Sequence, residues 1–277
     1  MLVNSNQILH QARESNYAVP APDYIDADSA RVFVHVAQEL NKPLILSYAQ
    51  AFEDFFPLEE AAVIGTYLAK KVKVPIALHL DHGTSLEMAE RAIACGFTSV
   101  MIDASAETFD VNVARTAEVV RFAHAHNVTV EAEIGHVGQG DNYSSWSHSD
   151  SIYTTVEEAA AFAEQTGVDS LAVSIGTVHG IYKNLEKPKL NFERLHELSQ
   201  NVSIPLVLHG GSGTGDENLH RCATEGISKI NIYTDFLTGA MQRINAEHAN
   251  NYLAVKNAAN LGMADVLRHY YSIFEKD

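Results

Sequence analysis

The sequence predicts an α/β fold, a single (β/α)8 TIM barrel, from three observations. Short apolar, β-branched runs alternate with longer helical patterns eight times along the chain. The 277 residues match the size of one such barrel. Several of the runs are almost wholly apolar, as parallel strands covered on both faces must be. A doubly wound sheet more often has about five to seven strands. No linker or composition break marks a second domain, so residues 1–277 are expected to form one domain with its catalytic face at the strand C-termini.

In chain order the expected strands are Tyr17–Val19, Pro43–Ser47, Pro75–His79, Ser99–Asp103, Thr129–Glu133, Ser170–Ser174, Leu206–His209 and Ile227–Asn231. The helical patterns between them have recognisable ends. Thr155 followed by Glu158 fits a capping box, and Gly96 and Gly167 stand where a helix should stop before the next strand. Two connections are longer than the usual few residues: Ile134–Tyr153, rich in Gly, Ser and Asp, and Gly180–Asn191. Both follow strands, which places them as lid candidates on the face where barrel active sites are built.

Composition narrows the function. With 19 basic against 35 acidic residues the chain carries a net charge of −16, which repels nucleic acid and anionic membrane surfaces alike. A phosphorylated metabolite feels the same field, so any phosphate site must be local, built from backbone donors or a metal. The opening MLVNSNQILHQARES lacks a basic segment followed by an apolar run, and no stretch approaches about 18 consecutive apolar residues. A soluble, cytoplasmic protein is expected. Cys95 and Cys222 lack CxxC spacing and read as core residues rather than a disulfide or thiolate site.

The chemistry-bearing residues gather at strand C-termini: His79, Asp81 and His82 after the third strand, Asp103 after the fourth, Glu131 and Glu133 on the fifth, His179 after the sixth, His209 after the seventh and Asn231 after the eighth. Three histidines from three strand ends, His82, His179 and His209, suit one Zn2+ with a fourth position open to substrate. Asp81 beside His82 suits a proton acceptor next to the metal. An isolated histidine there is more often simply hydrogen-bonded in place; histidines on one functional end of three strands are not explained that way. Eight others (His10, His35, His124, His126, His196, His220, His248 and His269) read as surface or packing residues on helices. His209-Gly210-Gly211-Ser212-Gly213 after strand seven and Asn231-Ile232-Tyr233-Thr234 after strand eight occupy the usual phosphate site of this barrel, although glycines alone would also make a tight turn.

At this point the chain resembles the class II ketose-bisphosphate aldolases, the family of fructose- and tagatose-1,6-bisphosphate aldolases. The resemblance rests on LHLDHGTS (79–85 with the preceding Leu78), SVMIDAS (99–105), VEAEIG (130–135), IGTVHGIYK (175–183), LVLHGGSG (206–213) and KINIYTD (229–235), in the family's order. It implies a reversible cleavage of a ketose 1-phosphate or 1,6-bisphosphate into dihydroxyacetone phosphate and an aldehyde through a zinc-stabilised enediolate. It implies zinc ligands His82, His179 and His209, Asp81 as the acid/base, and Asp103 and Glu133 as ligands of a second metal position. It further implies that Gly180, Gly210, Gly211, Ser212, Asn231 and Thr234 hold the dihydroxyacetone phosphate part, that carbonyls near Gly180 and Gly210 bind Na+ or K+, and that the chain forms a homodimer or homotetramer.

Departures from the family pattern cluster near the substrate. Asp23 stands where an amide normally contacts the enediolate, Ala49 where a hydroxyl is common, and Tyr233 where the residue is usually smaller or acidic. The loop Gly135–Asp141 has no Glu for the second acid/base, with Asp141 and His136 as the nearest substitutes. The donor phosphate is therefore expected to be kept while the aldehyde partner or the protonation step differs, with an aldolase acting on an atypical ketose as an alternative. A non-catalytic sugar-phosphate-binding barrel is the rival reading, opposed by the intact Asp81. Metal-dependent hydrolysis is opposed by a first strand, Tyr17-Ala18-Val19-Pro20, without a histidine pair.

Overall fold

A computed structural model describes residues 1–135, 138–139, 153–179 and 188–275, with 138–139 and 178–179 described at the backbone. Eight parallel strands form the barrel: β1 (Val19–Pro22), β2 (Leu44–Ala49), β3 (Ile76–Gly83), β4 (Ser99–Ile102), β5 (Thr129–Ile134), β6 (Ser170–Val173), β7 (Leu206–Leu208) and β8 (Ile227–Ile232). Each pairs with its sequence neighbour from β2 through β8, and β8 pairs in turn with β1. Helices α1 (Ser5–Ser15), α2 (Ala27–Leu40), α3 (Leu58–Lys71), α4 (Leu86–Cys95), α5 (Phe109–Ala125), α6 (Val156–Thr166), α7 (Phe192–Asn201), α8 (Asp216–Glu225), α9 (Thr234–Ala246) and α10 (Tyr252–Ile273) complete the described elements. A short parallel pairing of 138–139 with 178–179 lies outside the barrel sheet, beyond the ends of β5 and β6.

The strands fall near where the apolar runs predict, with shifts at β3, which runs on from His79 to Gly83, and at β1. β1 begins at Val19 and runs three residues past it, through Pro20, Ala21 and Pro22. Proline has no N–H to give a ladder. Odd residues of β1 face β8, as Asp23 does in donating its N–H to the Ile232 carbonyl at 3.4 Å, while even residues face β2. Pro20 and Pro22 thus stand on the β2 side, and the seam there is closed by the single bridge Asp23–Ser47, with Tyr24 N–H donating to the Ser47 carbonyl at 2.9 Å. The prolines remove the donors a full β1–β2 ladder would need, so the barrel is nearly closed rather than continuously bonded.

The helix ends follow local chemistry. Thr155 accepts from the Glu158 N–H at 3.2 Å, but its hydroxyl also donates to the Glu158 carboxylate at 2.7 Å, a variant of the expected box. Gly96 and Gly167 adopt left-handed φ of 102° and 68° at their helix ends. Cys222 is buried as expected, whereas Cys95 is only half-buried.

Two apolar layers hold the assembly. The larger lies between helices and strands and includes Phe33, Tyr48, Phe97, Phe162 and Phe236. The smaller fills the N-terminal end of the barrel, where Ile8, Leu9 and Ala12 of α1 pack against Val19, Ala21, Ile45 and Ala77. Each fully buried Leu or Ile contributes roughly 1.5–3 kcal/mol. With that end plugged by α1, polar side chains inside the barrel collect toward the other end. Among the described residues no helix is long and apolar enough to cross a membrane.

Candidate active site

Side chains alternate along a strand, so Lys229 and Asn231 share the inner face of β8, Glu131 and Glu133 that of β5, and His79 and Asp81 that of β3. All six are buried. His82 would point outward in a regular strand. Its φ of 49° and the register shift between Leu80 and Gly83 re-aim it, so that consecutive residues Asp81 and His82 both line the same cavity. A non-glycine residue in this conformation stores backbone strain of about 1–3 kcal/mol, which the surrounding contacts must hold.

The cavity, of about 370 Å³, is also lined by Asp23, Ala49, Phe52, Gly210, Gly211, Ser212, Asn231, Tyr233 and Thr234. The structure therefore brings together Asp81, His82, Gly210, Gly211, Ser212, Asn231 and Thr234 from the sequence-derived set, with His209 beside His82. His179 is described only at its backbone, in the short pairing with Gln139. Gly180, His136, Asp141 and most of both expected lid segments lie outside the described residues. A second cavity of about 380 Å³, lined by Tyr17, Lys42, Tyr271 and Glu275 among others, sits near the starts of β1 and β2, away from this cluster.

The two histidines are oriented by carboxylates. Asp103 Oδ2 lies 2.8 Å from His82 Nδ1, and Glu131 Oε1 lies 2.8 Å from His209 Nε2. An ionised carboxylate only accepts, so the proton of each ring sits on the nitrogen facing it. That leaves His82 Nε2 and His209 Nδ1 as the nitrogens that meet, 3.0 Å apart. At that distance a proton on His82 Nε2 bridges the pair in the metal-free protein, and a bound cation would take that proton's place. Two imidazoles on one tetrahedral Zn2+ stand about 3.3 Å apart, and the carboxylate–histidine arrangement is the usual support for a metal-binding histidine.

The electrostatics agree. Burial works against an imidazolium at His82, yet the carboxylates of Asp81, Asp103 and Glu133 outweigh it and lift its pKa to about 10. Asp103 is held well below the usual carboxylate range: burial opposes this, and His82 and the Ser105 hydroxyl overcome it. The site thus attracts positive charge. Asp81, His82 and His209 form one potential ligand group and His82, Asp103 and Glu133 another. The residues present fit a divalent cation.

The glycine loop after β7 meets the start of α9. Gly210 has φ of 69°, and a Cβ on Gly211 would come within 2.6 Å of Ile232 and 2.8 Å of the Asn231 carbonyl, so the loop lies flat on β8 only because that residue is glycine. Gly211 donates its N–H to the Asn231 carbonyl at 3.1 Å and Gly213 donates to Asp235 at 3.0 Å. Gly211 therefore contributes room rather than a donor. The Ser212 hydroxyl accepts from the N–H groups of Tyr233 and Asp235 at 3.2 and 3.3 Å, which ties the loop to the first turn of α9. The positive end of that helix faces the cavity through Thr234.

Lys229 is a buried residue beside the site to which the sequence alone assigns no role. It appears there only as the first letter of KINIYTD. Its signal was present: a lysine two positions before an inward asparagine, inside an otherwise apolar strand, needs a buried partner. Glu131 and His79 were placed at strand ends but given no role; both bond to this lysine. His79 is held well below the ordinary histidine range by burial and then by Lys229, so it stays neutral.

The comparisons with known proteins agree with this geometry. The chain matches the family model of class II fructose-bisphosphate aldolase over residues 3–277. It is similar to the YdjI aldolase from Escherichia coli K12, with a TM-score of 0.89 and 32% identity, covering 99% of this chain and 97% of that one. It shares its fold with the fructose-bisphosphate aldolase (Fba) of Campylobacter jejuni, with a TM-score of 0.81 and 23% identity over 99% of this chain and 95% of that one. Eight parallel strands, a cation-seeking histidine pair at their C-terminal ends and a whole-length family match lead to one conclusion: the chain belongs to the class II fructose-bisphosphate aldolase family, metal-dependent lyases that break carbon–carbon bonds.

Proposed function

We propose that the chain cleaves a ketose phosphorylated at C1, as a 1-phosphate or 1,6-bisphosphate, reversibly to dihydroxyacetone phosphate and an aldehyde. The observation that carries this reading is the single cavity that holds Asp81 and His82 at one side and the glycine loop with the α9 N-terminus at the other. His82, His179 and His209 would hold Zn2+, with Asp103 and Glu133 as ligands of a second position. Bound there, the ion supplies Lewis-acid stabilisation for negative charge on the ketose oxygens.

The chain's own residues do the rest. Ser212, Thr234 and the backbone at Gly210 receive the phosphate, Gly211 leaves the space, and the family resemblance adds Gly180 to the group. Asp81 takes the proton of the C4 hydroxyl while the C3–C4 bond breaks. C4 becomes the aldehyde carbon, and the electron pair passes to C3 and its neighbouring carbonyl. Asn231 holds Asp81 in place through a 2.8 Å bond to Oδ1. Protonation at C3 completes dihydroxyacetone phosphate, a step assigned to Asp141 or His136. Carbonyls near Gly180 and Gly210 would take Na+ or K+.

The acceptor side departs from the family pattern. Asp23, Ala49, Phe52 and Tyr233 line it, with the Phe52 and Tyr233 rings 5.3 Å apart. An aromatic wall and a buried carboxyl favour an atypical aldehyde product over those of the common sugar bisphosphates. A cytoplasmic homodimer or homotetramer belongs to the same reading and is checked by light scattering on the eluting protein.

The test is NADH-coupled detection of dihydroxyacetone phosphate from a panel of ketose 1-phosphates and 1,6-bisphosphates, with zinc and after chelation. Chelator-sensitive release establishes the reaction and ranks substrates. Absence of release from every member, with zinc bound, favours the sugar-phosphate-binding barrel instead.

A further inference from the structure

Among the described residues no other element covers the outer face of α3. The helix turns Ala61, Ala62, Gly65 and Ala69 onto the barrel, and Gly65 sits closest: a Cβ there would meet Leu78 at 2.5 Å. At about 100° per residue the opposite face carries Glu60, Val63, Tyr67 and Lys70, in the alternating three- and four-residue spacing of a coiled-coil seam. A helix that faces only water should be polar there. Instead Val63 is 71% exposed and Tyr67 57%. Phe55, in the turn that leads into α3, is 62% exposed, with its ring 5.4 Å from that of Phe52.

The seam is self-complementary. Its residues are symmetric about position 65, so an antiparallel copy of α3 related by a twofold axis sets Val63 against Tyr67 of the second copy and Glu60 against its Lys70. Each helix brings its acidic first turn to the basic last turn of the other. Neighbouring charges are already engaged: Glu59 pairs with Arg91 at 2.8 Å, and the Lys71 ammonium lies 4.1 Å from the centre of the Tyr67 ring. That leaves Glu60 and Lys70, both exposed, with no ion pair among the described residues. The helix dipole by itself favours acids at the start and bases at the end. It gives no reason for Val63 and Tyr67 to stand in water between them.

We propose that the face of α3 formed by Glu60, Val63, Tyr67 and Lys70 is an isologous contact with a second copy of this chain, the two helices packed antiparallel. The proposal rests on the homo-oligomer reading of the preceding section and names a surface for it. Tyr67, used twice by the symmetry, is the central anchor of the contact. The Glu60–Lys70 pairs at either end set the direction of the helices, because a parallel arrangement would place Glu60 against Glu60. A standard interface buries about 800 Å² per partner, more than one helix stripe offers, so the contact takes in the turn before α3 with Phe55 as well.

The experiment is sedimentation equilibrium of the full chain with zinc added. Wild type is run beside Glu60→Lys, Lys70→Glu, the two combined, Val63→Arg and, on the separate surface of α10, Leu261→Arg. Wild type is expected to associate. Glu60→Lys and Lys70→Glu each bring like charges together twice in the pair and should weaken association roughly 10-fold or more. The combined variant restores opposite charges across the seam and should recover most of that loss. Val63→Arg should halve the particle mass. Charges that acted only on their own helix would make the combined variant the weakest of the three, being unfavourable at both ends of the dipole, and that order overturns the proposal. Association unchanged in Glu60→Lys, Lys70→Glu and Val63→Arg overturns it too, and dissociation by Leu261→Arg in their place moves the contact to α10. A monomeric wild type removes the homo-oligomer reading itself, which separates that failure from a misplaced surface.

Discussion

Asn231 Nδ2 donates to Asp81 Oδ1 at 2.8 Å, spanning the barrel from β8 to β3. The bond fixes one carboxylate oxygen, while Oδ2 stands 3.8 Å from His82 Nε2. A general acid/base held in that way contributes about 100- to 10,000-fold to rate. Asp81→Ala is therefore expected to lower cleavage by that range while zinc content, measured by elemental analysis of the dialysed protein, stays near wild type. Simultaneous loss of metal and fold would contradict the acid/base role.

His82 Nε2 and His209 Nδ1, the nitrogens turned away from their carboxylates, face one another at 3.0 Å. Losing an orienting partner costs roughly 10- to 100-fold in metal affinity, and losing the ligand itself should cost more. His209→Ala is expected to release zinc on dialysis and to lose activity that added zinc recovers only partly. Unchanged zinc content would remove His209 from the ligand set.

Asp23 is buried beside Asp81, and its carboxyl is held well above the usual range by burial first and by Asp81 second. In the unfolded chain an aspartate titrates near about 3.9. Above that pH the unfolded state ionises while folded Asp23 keeps its proton, so wild type loses stability as pH rises toward the folded value. Asp23→Asn, with no proton to lose, escapes this loss. In metal-free protein its thermal midpoint should exceed wild type by more at pH 7.5 than at pH 5. A larger advantage at the lower pH would show that Asp23 is not held protonated by its surroundings.

A Cβ on Gly211 would meet Ile230, Ile232 and the Asn231 carbonyl at 2.6–2.8 Å. Gly211→Ala must lift the loop from β8 and carry Ser212 away from the α9 N-terminus. Overpacking of this kind costs about 1–3 kcal/mol. A lower thermal midpoint is expected together with a raised KM for the phosphorylated ketose, read in the coupled assay. An unchanged KM would mean that the loop does not receive the phosphate.

How far the sequence reaches is clearest at β1 and at Lys229. The apolar runs located eight strands because burial on both faces is written into consecutive residues. The extension of β1 through Pro20 and Pro22 was not readable, since it depends on which side of the strand has a partner. The placement of Asp81, His82 and His209 near one another followed from their positions at strand C-termini. That His82 reaches the cavity through a left-handed residue at the β3 register shift did not.

By itself, then, the sequence determined the strand-and-helix order and the end of the barrel at which polar side chains gather, because periodicity and strand ends are local properties of the chain. Only the tertiary structure decided which nitrogen of each histidine is turned inward and which carboxylate holds it. It also decided that Lys229 supplies the cation for Glu131, 98 residues away in the chain. β5 and β8 are not neighbours in the sheet; their side chains meet only across the closed interior, and that meeting depends on the stagger of all the strands between.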